Sequence, residues 1–155
     1  MDRSHPAHTG WRPRGNRSTI LFVTICTKDR APILACQDFH VALTDAWTSH
    51  SDFVVGCYTI MPDHVHFFCS PSPDCELQLK VWVERFKGAS SFAWKSKPYR
   101  KVWQPDCWDR DLRSGESYAG KWEYVRANPV RHGLVTSSEE WPFQGELNRL
   151  AWLDA

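Results

Sequence analysis

Two hydrophobic periods alternate along this chain, and the switches between them mark its elements. From Ser18 to Thr27 the run Ser-Thr-Ile-Leu-Phe-Val-Thr-Ile-Cys-Thr is β-branched and aromatic, as a buried strand requires. Lys28 to Pro32 reads as a turn. From Gln37 to Ser49, Phe39, Ala42, Leu43, Ala46 and Trp47 recur at helical spacing. Phe53 to Ile60 is a second strand, Met61-Pro62-Asp63 a tight turn and His64 to Ser70 a third strand, so these two predict a hairpin. A Pro-rich loop, Ser70 to Asp74, opens the longest helical pattern, Glu76 to about Lys95. There Leu79, Trp82, Val83, Phe86, Ala89 and Ala93 form one stripe, and Lys80, Glu84, Lys87 and Lys95 fall on the other side. Lys101-Val102-Trp103 is a short strand candidate. A last helix, capped by Ser114 with Glu116 in its first turn, runs to about Ala127 and is stopped by Pro129. The order β-α-β-β-α-β-α predicts an α+β, ferredoxin-like split βαβ fold. Its four- to five-stranded antiparallel sheet carries helices on one face, plus a C-terminal tyrosine-bearing helix.

Composition adds limits. With 155 residues, 42% hydrophobic and 24% charged, the chain suits one soluble domain and is too apolar to be disordered throughout. Residues 1–17, rich in Arg, Pro, Gly and His, read as a flexible basic arm, 18–145 as a single domain and 146–155 as a C-terminal tail. No apolar run approaches the length of a membrane span, and no secretory signal is visible behind Met-Asp-Arg-Ser-His-Pro. The six cysteines show no zinc-ribbon or redox-pair spacing, and Cys26, Cys57 and Cys69 lie in apolar runs. Reduced thiols in a cytoplasm are the expectation.

A net charge of +1 argues by itself against strong nucleic-acid binding, but its distribution does not. Residues 31–79 carry six acidic groups and neither Lys nor Arg, whereas residues 80–101 carry seven basic groups and one acidic. Residues 1–30 add six basic groups against two acidic. Two basic blocks are therefore available for a phosphate-facing surface, or merely to solvate their elements.

Two sets of residues carry candidate chemistry. His64 and His66 alternate with Val65 on a strand, so both imidazoles point to one face about 7 Å apart along it, where two rings can converge on a metal ion. On the last helix, Tyr118, Trp122 and Val125 define the buried stripe. Tyr124 lies about 120° from it, with Asn128 one turn on and Lys121 on the same side. Gly120, one turn earlier, opens access to the phenol. A phenol, with a pKa of about 10, is a poor nucleophile at neutral pH. It becomes competent towards a phosphodiester if a divalent cation stabilises the developing charge. Asn128 would place an amide oxygen beside both, and Lys121 with the 80–101 block would supply backbone contacts.

The strings containing these residues resemble a known family. Met61-Pro-Asp-His-Val-His-Phe-Phe resembles the His-hydrophobic-His (HUH) strand of single-tyrosine transposases. Trp103-Gln-Pro-Asp-Cys-Trp-Asp-Arg-Asp-Leu-Arg113 and Tyr124-Val-Arg-Ala-Asn-Pro-Val-Arg-His-Gly-Leu-Val135 resemble the REP-associated tyrosine transposases. Thr24 to Arg30 and Glu140-Trp-Pro-Phe143 fit that family's first strand and its Trp-Pro segment. The resemblance implies Mg²⁺- or Mn²⁺-dependent cleavage of single-stranded DNA near a hairpin, through a 5′-phosphotyrosine with a free 3′-OH. It implies Tyr124 as nucleophile, His64, His66 and Asn128 as metal ligands, and a monomer rather than a dimer. Some members carry His where this chain has Arg110, for which a phosphate contact is the substitute reading. Lys80, Lys87, Lys95, Lys97, Arg110, Arg113 and Lys121 are the candidate DNA contacts. Two other readings stay open. One is a catalytically silent module that binds hairpin DNA or RNA; the other is a metal phosphodiesterase that uses water.

Overall fold

A computed structural model describes residues 19–112 and 118–150. The basic arm and the Ser114 cap fall outside that range. The elements are β1 (Leu21–Cys26), α1 (Gln37–Ser49), β2 (Phe53–Ile60), β3 (His64–Pro71), α2 (Leu79–Ala93), β4 (Trp108–Asp111), α3 (Tyr118–Arg126), α4 (Asn128–Arg131) and β5 (Gln144–Glu146). Short 3₁₀ turns occupy Lys28–Arg30 and Ser138–Glu140. The five strands form one sheet in the order β4-β1-β3-β2-β5, and every paired neighbour is antiparallel. This is the expected α+β architecture, with β3 in the middle. No helix among the described residues is long and apolar enough to cross a membrane.

Strand alternation divides the sheet into two faces. Leu21, Val23 and Ile25 of β1 and Val65, Phe67 and Cys69 of β3 enter the larger core with α1 and α2, around Phe39, Trp47, Trp82 and Phe86. The other face packs a smaller cluster of Ile20, Cys57, Phe68, Leu112 and Val125 with partly buried Phe22, Tyr118 and Trp122. Helix α3 covers this second face, so the stripe Tyr118, Trp122 and Val125 faces inward as its spacing predicts.

Three local features depart from the expected pattern. The fourth strand is Trp108–Asp111, not Lys101–Trp103, and Trp103 makes just an isolated bridge to Thr27. Helix α3 ends at Arg126, within a residue of its expected end, but Pro129 does not end the helical chain: it sits in the first turn of a new helix, where its missing N–H costs nothing. That helix ends in a Schellman turn: Leu134 N–H donates to Pro129 C=O, Gly133 N–H to Val130 C=O, and Gly133 takes φ 70°. Finally, β2 shifts register between Val55 and Tyr58. Cys57 N–H there donates to Tyr118 Oη at 2.9 Å. A Cβ on Gly56 would lie 2.5 Å from that oxygen, so glycine allows α3 to dock on the bulge. Just after β5, Leu147 and Asn148 stay on the sheet, since Leu147 N–H donates to Gly56 C=O and Asn148 Nδ2 to Val55 C=O.

Candidate active site

The histidines of β3 meet at their outer nitrogens. His64 Nε2 and His66 Nε2 stand 3.1 Å apart. Both inner nitrogens are anchored: His64 Nδ1 to Asp63 Oδ1 at 2.7 Å and His66 Nδ1 to Thr24 Oγ1 at 2.8 Å. Thr24 is the direct cross-strand partner of His66. Arg30 Nε in turn donates to Asp63 Oδ2 at 2.9 Å. An ionised carboxylate only accepts, so Asp63 fixes the His64 proton on Nδ1 and leaves Nε2 a lone pair. His66 has two tautomers: one donates Nε2–H to His64, and the other aims a second lone pair at the same point. Burial lowers the His64 pKa despite Asp63. The His66 pKa falls to about 3 through burial first, then through the nearby charges of His64, Lys121, Arg131 and Arg30. Both rings are therefore neutral donors at neutral pH. The hydrogen bonds from His64 and Arg30 outweigh burial at Asp63 and hold its carboxyl below the usual range.

Tyr124 belongs to the same face. Its side chain is 62% exposed. Lys121 Nζ lies 5.3 Å from its ring centre and 5.0 Å from that of Phe22, and Phe22 stacks on His66 with centroids 5.3 Å apart. Arg131 is an organiser that sequence reasoning missed. Its guanidinium sits 4.2 Å over the Tyr124 ring and donates to Tyr124 C=O at 2.8 Å and to Asn128 Oδ1. Tyr124 and Asn128 thus come from adjoining helices clamped by one side chain, rather than from one continuous helix. Asn128 is buried, and among the described residues its amide makes no hydrogen bond to either histidine. His132 follows α4 as its cap residue, with its N–H on Asn128 C=O. The signal for Arg131 was its spacing, three residues after Asn128 and seven after Tyr124.

The donor set suits a cation completed by a substrate. With metal–nitrogen bonds of about 2.1 Å, adjacent ligands of an octahedral ion stand about 3 Å apart, close to the Nε2 separation seen here. Among the described residues no three His, Cys, Asp or Glu gather into a metal cluster. The groups acting electrostatically on His66 are cationic or imidazole. Neutral nitrogens in such surroundings need anionic oxygens from elsewhere, which a phosphodiester carries.

The basic residues divide. Lys121 lies on the Tyr124 face, as does Arg110, the cross-strand partner of Phe22 on edge strand β4. Arg113 falls outside the described residues. Lys80, Lys95 and Lys97 belong to α2 or follow it, across the sheet from Tyr124. Lys87 corrects the expectation. It is 3% exposed, and its ammonium donates to the carbonyls of Gln104 at 3.0 Å and Asp106 at 2.7 Å. Its position four residues after Val83 and three before Ser90, both buried, puts it on the inner stripe. Burial lowers its pKa, and it cannot reach a surface phosphate. Lys87→Met, which leaves two carbonyls unpaired, should destabilise the fold by about 1–3 kcal/mol in urea melts. It should leave the salt dependence of DNA binding unchanged; a shallower salt slope would return Lys87 to the DNA surface.

An antiparallel sheet with paired histidines on its central strand, faced by a helix that exposes a tyrosine, defines the single-tyrosine HUH class of fold. The chain belongs to the IS200-like transposase family, whose model matches residues 18–125 and whose members are enzymes. It is similar to a REP-associated tyrosine transposase of Escherichia coli, 29% identical over 95 residues, which cover 59% of this chain and 53% of that protein. The chain therefore spans little more than half the length of that relative. A Haemophilus influenzae protein assigned to the same group is 24% identical over 148 residues, covering 87% of this chain and 84% of that one. Among solved structures, a REP-associated tyrosine transposase bound to a REP hairpin superposes with a TM-score of 0.66 at 22% identity, over 88% of this chain and 82% of that one. At that identity the likeness speaks for the fold.

Proposed function

We propose that this chain is a metal-dependent single-stranded DNA nickase and strand transferase that acts at DNA hairpins, as a monomer in the cytoplasm. The observation that carries the reading is the convergence of the His64 and His66 Nε2 atoms on the sheet face that also presents Tyr124. A hairpin-bound structural neighbour supports the substrate class, and six unpaired thiols suit a reducing compartment.

His64 and His66 would hold Mg²⁺ or Mn²⁺, with Asn128 Oδ1 as a third ligand. The bound ion would supply charge stabilisation at the scissile phosphate. Asp63 and Thr24 fix the two rings so that no reorganisation is needed when charge develops. Arg131 orients the Tyr124 ring and the Asn128 amide together. Tyr124 Oη loses its proton and bonds to phosphorus, while the P–O3′ bond breaks. The 5′ end stays on the enzyme as a phosphotyrosine, and the 3′-oxygen leaves as a hydroxyl. A 3′-OH can reverse the step, so cutting and joining share one site. Lys121 and Arg110, with Arg113, would contact the backbone near the scissile bond. Lys80, Lys95 and Lys97 would meet DNA that passes round the sheet edge.

The test is a denaturing gel of end-labelled single-stranded hairpins from the flanks of the protein's own gene, with Mg²⁺, Mn²⁺ or EDTA. A slow, protease-sensitive band that needs metal is expected. Cleavage without that band would assign the chemistry to water. Binding with neither would leave a hairpin-binding module.

A further inference from the structure

Arg131 holds two oxygens and no counter-ion. Its Nη1 donates to Tyr124 C=O at 2.8 Å and its Nη2 to Asn128 Oδ1, and both acceptors are uncharged. Other arginines on this side of the molecule are paired: Arg126 with Glu123 and Glu139, and Arg30 with Asp63. Among the described residues Arg131 meets no carboxylate, although it is exposed at the end of α4. Its guanidinium also lies 4.2 Å over the Tyr124 ring. Lys121 and Arg30 add positive charge around His66, so the surplus is shared by the whole face. One unpaired cation therefore touches both the attacking residue and the amide assigned as third ligand.

The two assignments of Asn128 compete. Its buried amide offers a single oxygen, and a guanidinium and a divalent cation on that oxygen repel each other. Drawing Arg131 away takes a stronger acceptor. An ionised phosphate oxygen is one, because charge-assisted hydrogen bonds are roughly twice as strong as neutral ones. The planar fork of arginine matches the paired oxygens of a phosphodiester. The acceptor also arrives in the right place: phosphorus bonds to the oxygen of the ring on which Arg131 already lies.

We propose that Arg131 is a catalytic residue whose Nη2 exchanges Asn128 Oδ1 for a non-bridging oxygen of the scissile phosphate, and that this exchange frees Asn128 for the cation. The proposal deepens the nickase reading and rests on it for the substrate. The bond to Tyr124 C=O keeps the guanidinium at the site during the exchange. DNA and cation then bind as a coupled pair, each raising the affinity of the other by the same factor.

Calorimetric titration of Mn²⁺ into the full chain tests it, with and without a hairpin that carries the cleavage site. Tyr124→Phe, which keeps the ring under Arg131, is the background in which the DNA stays uncut. There, DNA should raise Mn²⁺ affinity about tenfold. Adding Arg131→Met should raise Mn²⁺ affinity without DNA about fivefold, the worth of one close charge in water, and shrink the gain from DNA. An arginine that merely props Asn128 predicts the opposite sign, because a loosened amide binds the ion less well. In EDTA, a neutral methylphosphonate at the scissile position should weaken DNA binding by Tyr124→Phe, and much less by the double variant, whose contact is already gone. Arg131→Lys keeps the charge without the fork and should fall between the two. Unchanged or lowered Mn²⁺ affinity in Arg131→Met, or an equal methylphosphonate penalty in both proteins, would overturn the exchange. The wild-type adduct gel is read separately: an adduct with Mn²⁺ affinity indifferent to Arg131 sinks the exchange alone, whereas Mn²⁺ affinity that rises in Arg131→Met without any cleavage or adduct sinks the nickase reading alone.

Discussion

Tyr124→Phe should eliminate the covalent protein–DNA adduct while leaving hairpin affinity and thermal stability unchanged. The change removes one oxygen and keeps the ring, so the cations of Arg131 and Lys121 retain their aromatic partner. At 62% exposure, losing the hydroxyl leaves no buried partner unsatisfied. Removing the attacking atom is the largest single loss available to a transesterification, and no neighbouring phenol can replace it. Tyr118 is committed to Cys57 N–H at the β2 bulge, and burial raises its pKa far above that of a free phenol. Tyr99, the other exposed tyrosine, lies in the loop between α2 and β4. Adduct yield is read on the denaturing gel, with Tyr99→Phe as the control. Undiminished adduct in Tyr124→Phe would remove Tyr124 from the role.

His66→Ala should lower Mn²⁺ affinity by at least the factor of about 10–100 that follows loss of even an outer partner at a metal site, and abolish metal-dependent cleavage. His64→Ala should do the same, because each ring supplies one of two nitrogens 3.1 Å apart. Asp63→Ala should fall between these variants and wild type: it frees the His64 tautomer and the Arg30 side chain but removes no nitrogen. Isothermal titration with Mn²⁺ and the cleavage assay measure the two effects. Full metal dependence in both histidine variants would place the ion elsewhere.

Much of this architecture was legible in the residues themselves. Helix Gln37–Ser49 and strand Phe53–Ile60 lie where the hydrophobic pattern ends, because a whole face of each is buried. Trp108–Asp111 escaped notice because Trp-Asp-Arg-Asp has no apolar alternation. As an edge strand it is held by backbone pairing to β1 and buries little. Lys101-Val102-Trp103 looked more strand-like because Val102 and Trp103 are buried, but they pack as loop residues. The shared face of His64 and His66 follows from the two-residue period alone. Their anchors do not: Thr24 is 42 residues away and meets His66 only through strand register. Asp63 and Arg131 sat within recognisable strings, yet charged residues in a turn or helix end declare a partner only once the chain has folded round them.

The two faces of the sheet are unequal in depth. Helices α1 and α2 share an extensive aromatic core, whereas among the described residues α3 packs on a smaller cluster of five buried residues and a few partly buried ones, with the Tyr118 bond to the bulge. Cooperativity should follow that division, with backbone amides of α3 exchanging with solvent through small openings and those of β3 only through global unfolding. The two halves of the site therefore belong to layers of different rigidity. The histidines ride on the central strand, and Tyr124 on the layer expected to detach at the least cost.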